Sequence, residues 1–174
     1  YDDWYWILSE QKRQKIDNLR FDKDKKLSVV SDMLIRRAVS EFCGVEPGYI
    51  VIKTKDGGKP YAENLNVEFN ASHSGEMVVC VVSDKPVGID IEQIRPVNLK
   101  VARRVCSDYE LEYIFGHIPK EQEFVTTDDT EVLKRFFEVW TQREAYAKYT
   151  GLGLSLSFGR PIAKELCKTF SVDE

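Results

Sequence analysis

Apolar residues recur along the chain first at a helical period, then at an extended one, then at a helical one again. Leu8, Ile16 and Leu19 give one apolar side to a short helix over 9–19, with Ser9 placed to cap it. A longer helix is predicted over 23–42. There Leu27, Val30, Leu34 and Ala38 return at steps of three and four, the spacing that lines one helix face, and Gly44 supplies the stop. The period then shortens. Residues 49–53 are rich in β-formers, and Gly57-Gly58 breaks the chain after them. Three apolar runs follow, 67–72, 77–83 and 87–92, separated by polar turns at 74–76 and 84–86. Short runs joined by tight turns predict an antiparallel meander, closed by Pro96. Helical spacing resumes over 99–105 and 108–115, the second behind Ser107 as cap, and 116–130 reads as a loop. The best helix in the chain is 131–150. Val132, Phe136, Val139, Trp140 and Ala147 form its buried side, and Gly151 and Gly153 end it. Residues 154–158 read as one more strand. Helices, a meander and helices again imply an α+β fold.

Composition narrows the class. The 174 residues fit one ordinary domain, or one built of two small halves, and 43% apolar content suffices for a core. A net charge of −4 and a pI near 5.4 give no bulk electrostatic reason to bind nucleic acid. There is no apolar stretch long enough to span a membrane and no signal-peptide pattern. The cysteines Cys43, Cys80, Cys106 and Cys167 form no C-x-x-C pair, which argues against a zinc knuckle or a dithiol redox motif. Cys43 and Cys80 read as small buried hydrophobes of a reducing compartment. The expectation is a soluble cytoplasmic protein.

Three segments carry candidate chemistry. In Gly88-Ile89-Asp90-Ile91-Glu92, strand alternation sends both carboxylates to one face, where they either meet water or share a cation. In Trp140-Thr141-Gln142-Arg143-Glu144-Ala145-Tyr146-Ala147-Lys148, Trp140, Glu144 and Lys148 fall on one side of a helix. The plain reading there is an exposed Glu–Lys pair; Trp140 and Ala147 argue for a packed face instead. Asp90, Glu92 and Glu144 together would make a hard oxygen site suited to magnesium, with no Cys or His pair nearby in sequence to favour zinc. In Phe69-Asn70-Ala71-Ser72-His73-Ser74-Gly75, two hydroxyls and one of only two histidines stand at a strand end beside a glycine turn. These groups either hold a phosphate or lie on the surface. Lys59 could serve the same anion. The Lys12-Arg13, Lys15 group is another basic spot, though such groups are usually solvated faces.

Read together, these blocks resemble the Sfp-type 4′-phosphopantetheinyl transferase family. The resemblance is carried by Gly58-Lys59-Pro60, by the segments around Ser72, Asp90 and Glu144 quoted above, and by Gly151-Leu152-Gly153-Leu154-Ser155-Leu156, all in family order. It implies a pseudo-two-fold α+β molecule with antiparallel sheets and with coenzyme A held between its halves, here residues 1–92 and 93–174. It implies magnesium on Asp90, Glu92 and Glu144, and Lys148 beside the α-phosphate. It implies Ser72 and His73 on the nucleotide phosphates, with His73 on the 3′-phosphate, and Lys59 near the adenine or the 3′-phosphate. Lys12, Lys15 and Ser28 match nucleotide-contacting positions. Three departures stand out. Arg143 replaces the lysine of the usual Lys-Glu-Ala, Leu27 stands where a basic residue often precedes Ser28, and the stretch after Phe158 is short, so that the second half is expected reduced or trimmed.

The implied reaction transfers phosphopantetheine from coenzyme A to a serine of an apo acyl or peptidyl carrier protein; Glu144, directly or through a metal-bound water, is expected to take the serine proton. The expected partners are the carrier protein and coenzyme A, without nucleic acid or membrane, and the expected state is a monomer. Phe115, Ile118 and Phe124 are offered either as carrier contacts or as core. Two other classes stay open: a metal-dependent phosphohydrolase acting on a nucleotide, and a coenzyme A or carrier-binding module without turnover.

Overall fold

The computed structural model describes residues 2–55 and 58–151. The chain divides into two compact units, Tyr1–Ile91 and Glu92–Glu174. Helices combined with small antiparallel sheets make it an α+β protein, as expected.

The first unit opens with α1 (Asp2–Tyr5), α2 (Glu10–Asp17) and α3 (Asp22–Cys43). Ser9 caps α2 as expected, its hydroxyl accepting the Lys12 N–H at 3.3 Å. α3 ends at Gly44, whose φ of 69° lies in the left-handed region that glycine enters at least cost. The buried stripe of α3 differs from the expected one. Val29, Asp32, Ile35, Arg36 and Val39 point inward, while Val30 is 45% exposed. Hydrophobicity misplaced the face because two of its members are charged. Asp32 and Arg36 sit one turn apart and neutralise each other, with Arg36 Nε donating to Asp32 Oδ1 at 2.6 Å. Arg36 Nη1 also donates to the Ile50 carbonyl at 2.8 Å. A buried charge is tolerable only when so paired and bonded.

β1 (Ile52–Thr54) pairs antiparallel with β2 (Pro60–Ala62). The strand begins later than the sequence suggests, because Pro47–Tyr49 forms a single 3-10 turn. β3 (Glu68–Ser74) and β4 (Met77–Ser83) form a hairpin running from Glu68 opposite Ser83 to Ser74 opposite Met77. Its two-residue loop places Gly75, at φ 61°, first of the pair, the position that type II′ hairpins give to glycine. α3 packs across both strands, over a core of Ile35, Val39, Ile50, Ala62, Val67 and Phe69.

The third run of the expected meander, 87–92, forms no strand. Pro86 withholds a backbone donor at its start. Beyond it, side chains of β3 hold the passing segment: Asn70 Oδ1 accepts the Ile89 N–H at 3.0 Å, and Ser72 Oγ donates to Asp90 Oδ1 at 2.7 Å.

The second unit contains β5 (Val97–Asn98), α4 (Lys100–Val105), α5 (Asp108–Phe115), β6 (Thr126–Thr127) and α6 (Thr130–Thr150). β5 and β6 pair antiparallel, so the expected loop over 116–130 carries a strand and, at Glu121–Glu123, a 3-10 turn. Ser107 caps α5 through a full capping box with Glu110. Asp129 caps α6, its Oδ1 accepting the N–H groups of Glu131 and Val132. The core joins Leu99, Ala102 and Val105 to Leu111, Ile114, Phe124, Leu133, Phe136, Phe137 and Val139. Phe124 is thus core, with Phe115 edge-on to it at 5.3 Å between ring centres, whereas Ile118 is 79% exposed. Gly153 and the expected strand over 154–158 lie outside the described residues. Among those residues, no helix is long and apolar enough to cross a membrane.

Candidate active site

β3 delivers the first group of site residues. Asn70 and Ser72, two residues apart, are both buried and both bonded to the segment after Pro86, while His73 between strand neighbours is exposed. The Ser72 hydroxyl therefore fixes one oxygen of Asp90, a contact that strand alternation alone does not predict. Ser72→Ala removes a hydrogen bond to a carboxylate, and a loss of about 1.5–3 kcal/mol is expected in urea unfolding. A stability unchanged within about 0.5 kcal/mol would mean that the bond contributes nothing.

Two of the basic candidates of this unit, Lys59 and Lys12, have acidic neighbours. Lys59 Nζ lies 3.7 Å from Glu68 Oε2, and its side chain is mostly covered. Burial lowers the pKa of Lys12 from the ordinary lysine value; Asp32 opposes that shift and Lys15 adds to it. Lys15 is exposed and Ser28 half-buried. An open hollow of about 360 Å³ is lined by Lys23, Lys26, Leu27 and Glu76; of these the sequence had drawn attention only to Leu27, as a departure beside Ser28.

In the second unit, α6 holds Glu144 and Lys148 one turn apart, both half-buried. Trp140, a turn earlier, stacks obliquely on Phe136 at 5.9 Å. The packed reading of this face is the one the structure supports. Arg143 has no exposed surface at all and is ion-paired with Glu110. Glu110 Oε2 also accepts the Ser107 N–H at 2.7 Å and the Ser107 hydroxyl at 2.6 Å. Cys106 completes this cluster. Its thiol is pushed up to about 12, chiefly by burial and then by Glu110, with Arg143 pulling the other way. Burial likewise pushes the Cys80 thiol up to about 11.

Both thiols should therefore resist alkylation in the native protein at pH 8 and react on unfolding, as read by mass spectrometry of iodoacetamide-treated samples. The sign for stability follows. A thiol whose folded value exceeds its ordinary 9.0 supports the fold fully below about pH 9 and withdraws that support as pH rises toward 12.

Asp90 belongs to the first unit, and Glu92 and Glu144 to the second. Among the described residues, no three acidic, histidine or cysteine side chains are gathered as a metal-binding group. Each of Asp90, Glu92 and Glu144 is a carboxylate, the oxygen type that hard cations take, and one oxygen of Asp90 accepts the Ser72 hydroxyl.

Two family models match the chain in succession. Residues 2–85 match the N-terminal 4′-phosphopantetheinyl transferase model, and residues 86–171 match that of the 4′-phosphopantetheinyl transferase superfamily. The chain belongs to this superfamily. It is 35% identical over 150 residues to a 4′-phosphopantetheinyl transferase of Bacillus subtilis, covering 86% of this chain and 62% of that one. To 4′-phosphopantetheinyl transferase Sfp of Bacillus subtilis strain 168 it is 31% identical over 151 residues, covering 86% and 63%. To 4′-phosphopantetheinyl transferase gsp of Aneurinibacillus migulanus it is 33% identical over 147 residues, covering 84% and 57%. The chain thus spans about three-fifths of the length of these relatives. The Sfp-type resemblance read from the motifs holds. The two phosphopantetheinyl transferase matches meet at residues 85 and 86, just after β4.

Sequence reasoning missed two groupings. The Asp32–Arg36 pair was legible as opposite charges four residues apart inside an apolar stripe. The Glu110–Arg143 pair was not legible, since 33 residues separate its members.

Proposed function

We propose that this chain transfers the 4′-phosphopantetheine arm of coenzyme A to a serine hydroxyl of an apo acyl or peptidyl carrier protein, acting as a cytoplasmic monomer. The observation that carries this reading is the unbroken succession of two phosphopantetheinyl transferase matches from residue 2 to residue 171, beside relatives named for that activity.

Asp90, Glu92 and Glu144 would hold a magnesium ion, which supplies neutralisation of the pyrophosphate and of charge developing on the leaving group. The protein's own residues supply the rest. Serine is a weak nucleophile at neutral pH and needs a base. Glu144 takes the proton of the carrier serine as its oxygen bonds to the β-phosphorus. The bond from that phosphorus to the bridging oxygen breaks, and adenosine 3′,5′-bisphosphate leaves. Lys148, one turn along α6, offsets phosphate charge at the α position. Ser72 holds Asp90 in place and, with His73, meets the nucleotide phosphates, His73 taking the 3′-phosphate. Lys59 serves the adenine end or the 3′-phosphate, sharing its ammonium with Glu68, and Lys12, Lys15 and Ser28 line the nucleotide side.

The test is intact-mass spectrometry of apo acyl and peptidyl carriers incubated with coenzyme A and the protein, with and without magnesium. Carriers gaining one phosphopantetheine only when magnesium is present is the expected result. Unmodified carriers with released free phosphopantetheine would point to a hydrolase, and coenzyme A binding without product to a binding module; either would overturn the proposal.

A further inference from the structure

A cation directly before the expected base invites assignment to the substrate phosphates. The burial of Arg143 speaks against that assignment. Its guanidinium has no exposed surface, and one Glu110 oxygen joins it to the capping box that starts α5. That oxygen, Glu110 Oε2, receives the Ser107 N–H, the Ser107 hydroxyl and Arg143 Nη2. Cys106 borders the same cluster, so the end of α4, the start of α5 and the middle of α6 meet at one ion pair.

The pair also fixes a rotation. Arg143 shares its buried stripe with Phe136, Val139 and Ala147, seven and four residues before it and four after. An α-helix turns about 100° per residue, so with Arg143 held inward Glu144 faces away from that stripe by about that angle. Apolar contacts along the stripe are non-directional and tolerate small rotations. A guanidinium bonded to a carboxylate that is itself bonded twice is directional. Glu144 and Lys148 therefore take their presentation from a contact made on another side of the helix.

We propose that Arg143 is a positioning residue. Its ion pair with Glu110 clamps α6 to the first turn of α5 and thereby sets the orientation of Glu144 and Lys148. This rests on the reading of Glu144 as the base, and it adds two residues, Arg143 and Glu110, that touch neither substrate nor metal.

The test compares Glu110→Gln, Arg143→Met and Arg143→Lys with their parent. Kinetics are read as kcat and KM for coenzyme A, and α6 is followed by hydrogen exchange. A clamp predicts that the two charge-removing changes act alike although one deletes an anion and the other a cation. Each should lower Tm on the order of 10 °C, since each strands a buried charge. Each should lower kcat about tenfold or more with KM for coenzyme A changed less than twofold, and raise exchange over 142–150. Arg143→Lys keeps the charge but not the fork and should fall between parent and Arg143→Met. Glu110→Gln/Arg143→Met removes both charges; it should recover part of the Tm loss without recovering kcat, which keeps the test open if the single changes fail to fold.

A tenfold rise in KM with kcat preserved in Arg143→Met would make Arg143 a phosphate ligand and overturn the clamp. So would a Glu110→Gln protein with parental kcat and exchange. A parent chain that transfers nothing would count against the proposed function alone, because melting and exchange would still show whether Glu110 and Arg143 hold α6.

Discussion

On the proposed function, Glu144→Gln should eliminate phosphopantetheine transfer while the fold survives. The substitution replaces one carboxylate oxygen by an amide nitrogen on a half-buried helical position, so volume and helix propensity barely change. Its unfolding free energy should stay within about 1 kcal/mol of the parent, as surface and half-buried polar changes commonly do. The chemistry changes far more. An amide accepts no proton from the carrier serine, and general-base catalysis is commonly worth about 10²–10⁴ in rate. It also removes one of three proposed metal carboxylates, which compounds the loss. The measurement is the initial rate of carrier modification by mass spectrometry, paired with a thermal melt. A variant that melts like the parent and modifies carrier at the parental rate would refute the role given to Glu144.

Arg36→Met should be the most destabilising single change in the first unit. The Asp32 and Arg36 side chains are only 6% and 10% exposed, and Arg36 also ties α3 to the chain at Ile50. Removing the guanidinium leaves the Asp32 carboxylate buried beside a thioether and deprives the Ile50 carbonyl of its 2.8 Å donor. Breaking one side of a buried pair costs about 3–5 kcal/mol, because the remaining charge stays desolvated without its partner. Set against a total stability of about 5–15 kcal/mol for a domain, that loss brings the unit near its unfolding threshold. Urea denaturation followed by fluorescence measures it. Asp32→Asn/Arg36→Met should be more stable than Arg36→Met, since the orphaned charge is gone. A double variant less stable than either single one would show that the pair is not coupled in this way. Asp32 also supports the charge of Lys12, which burial alone would weaken. Asp32→Asn/Arg36→Met removes that support, so its effect reaches α2 as well.

Local chemistry made much of this molecule readable from the chain. Ser9 and Ser107 begin helices, and Gly44, Gly116 and Gly151 end them in left-handed conformation, because the groups that satisfy a helix end lie within a few residues of it. The β3–β4 hairpin was equally legible, since two apolar runs around a glycine-bearing turn encode register and loop together. The motif blocks around Ser72, Asp90 and Glu144, taken in order, led to the superfamily that the family matches bear out.

Other features depended on neighbours distant in sequence. An apolar run such as 87–92 becomes a strand only if a partner edge accepts it, and here the side chains of Asn70 and Ser72 hold it instead. The inward face of α3 was decided by a charge pair that any hydrophobicity scale assigns to the surface. Arg143 read as a departure from the lysine of the usual Lys-Glu-Ala, and the structure makes it a buried cation held by a carboxylate on another helix. The sequence by itself determined where helices and turns begin and end, because short-range hydrogen bonds and backbone conformations fix those points. Which charged side chains turn inward, and what they hold, was settled only by tertiary structure, because burying a charge depends on a partner that the chain brings from elsewhere.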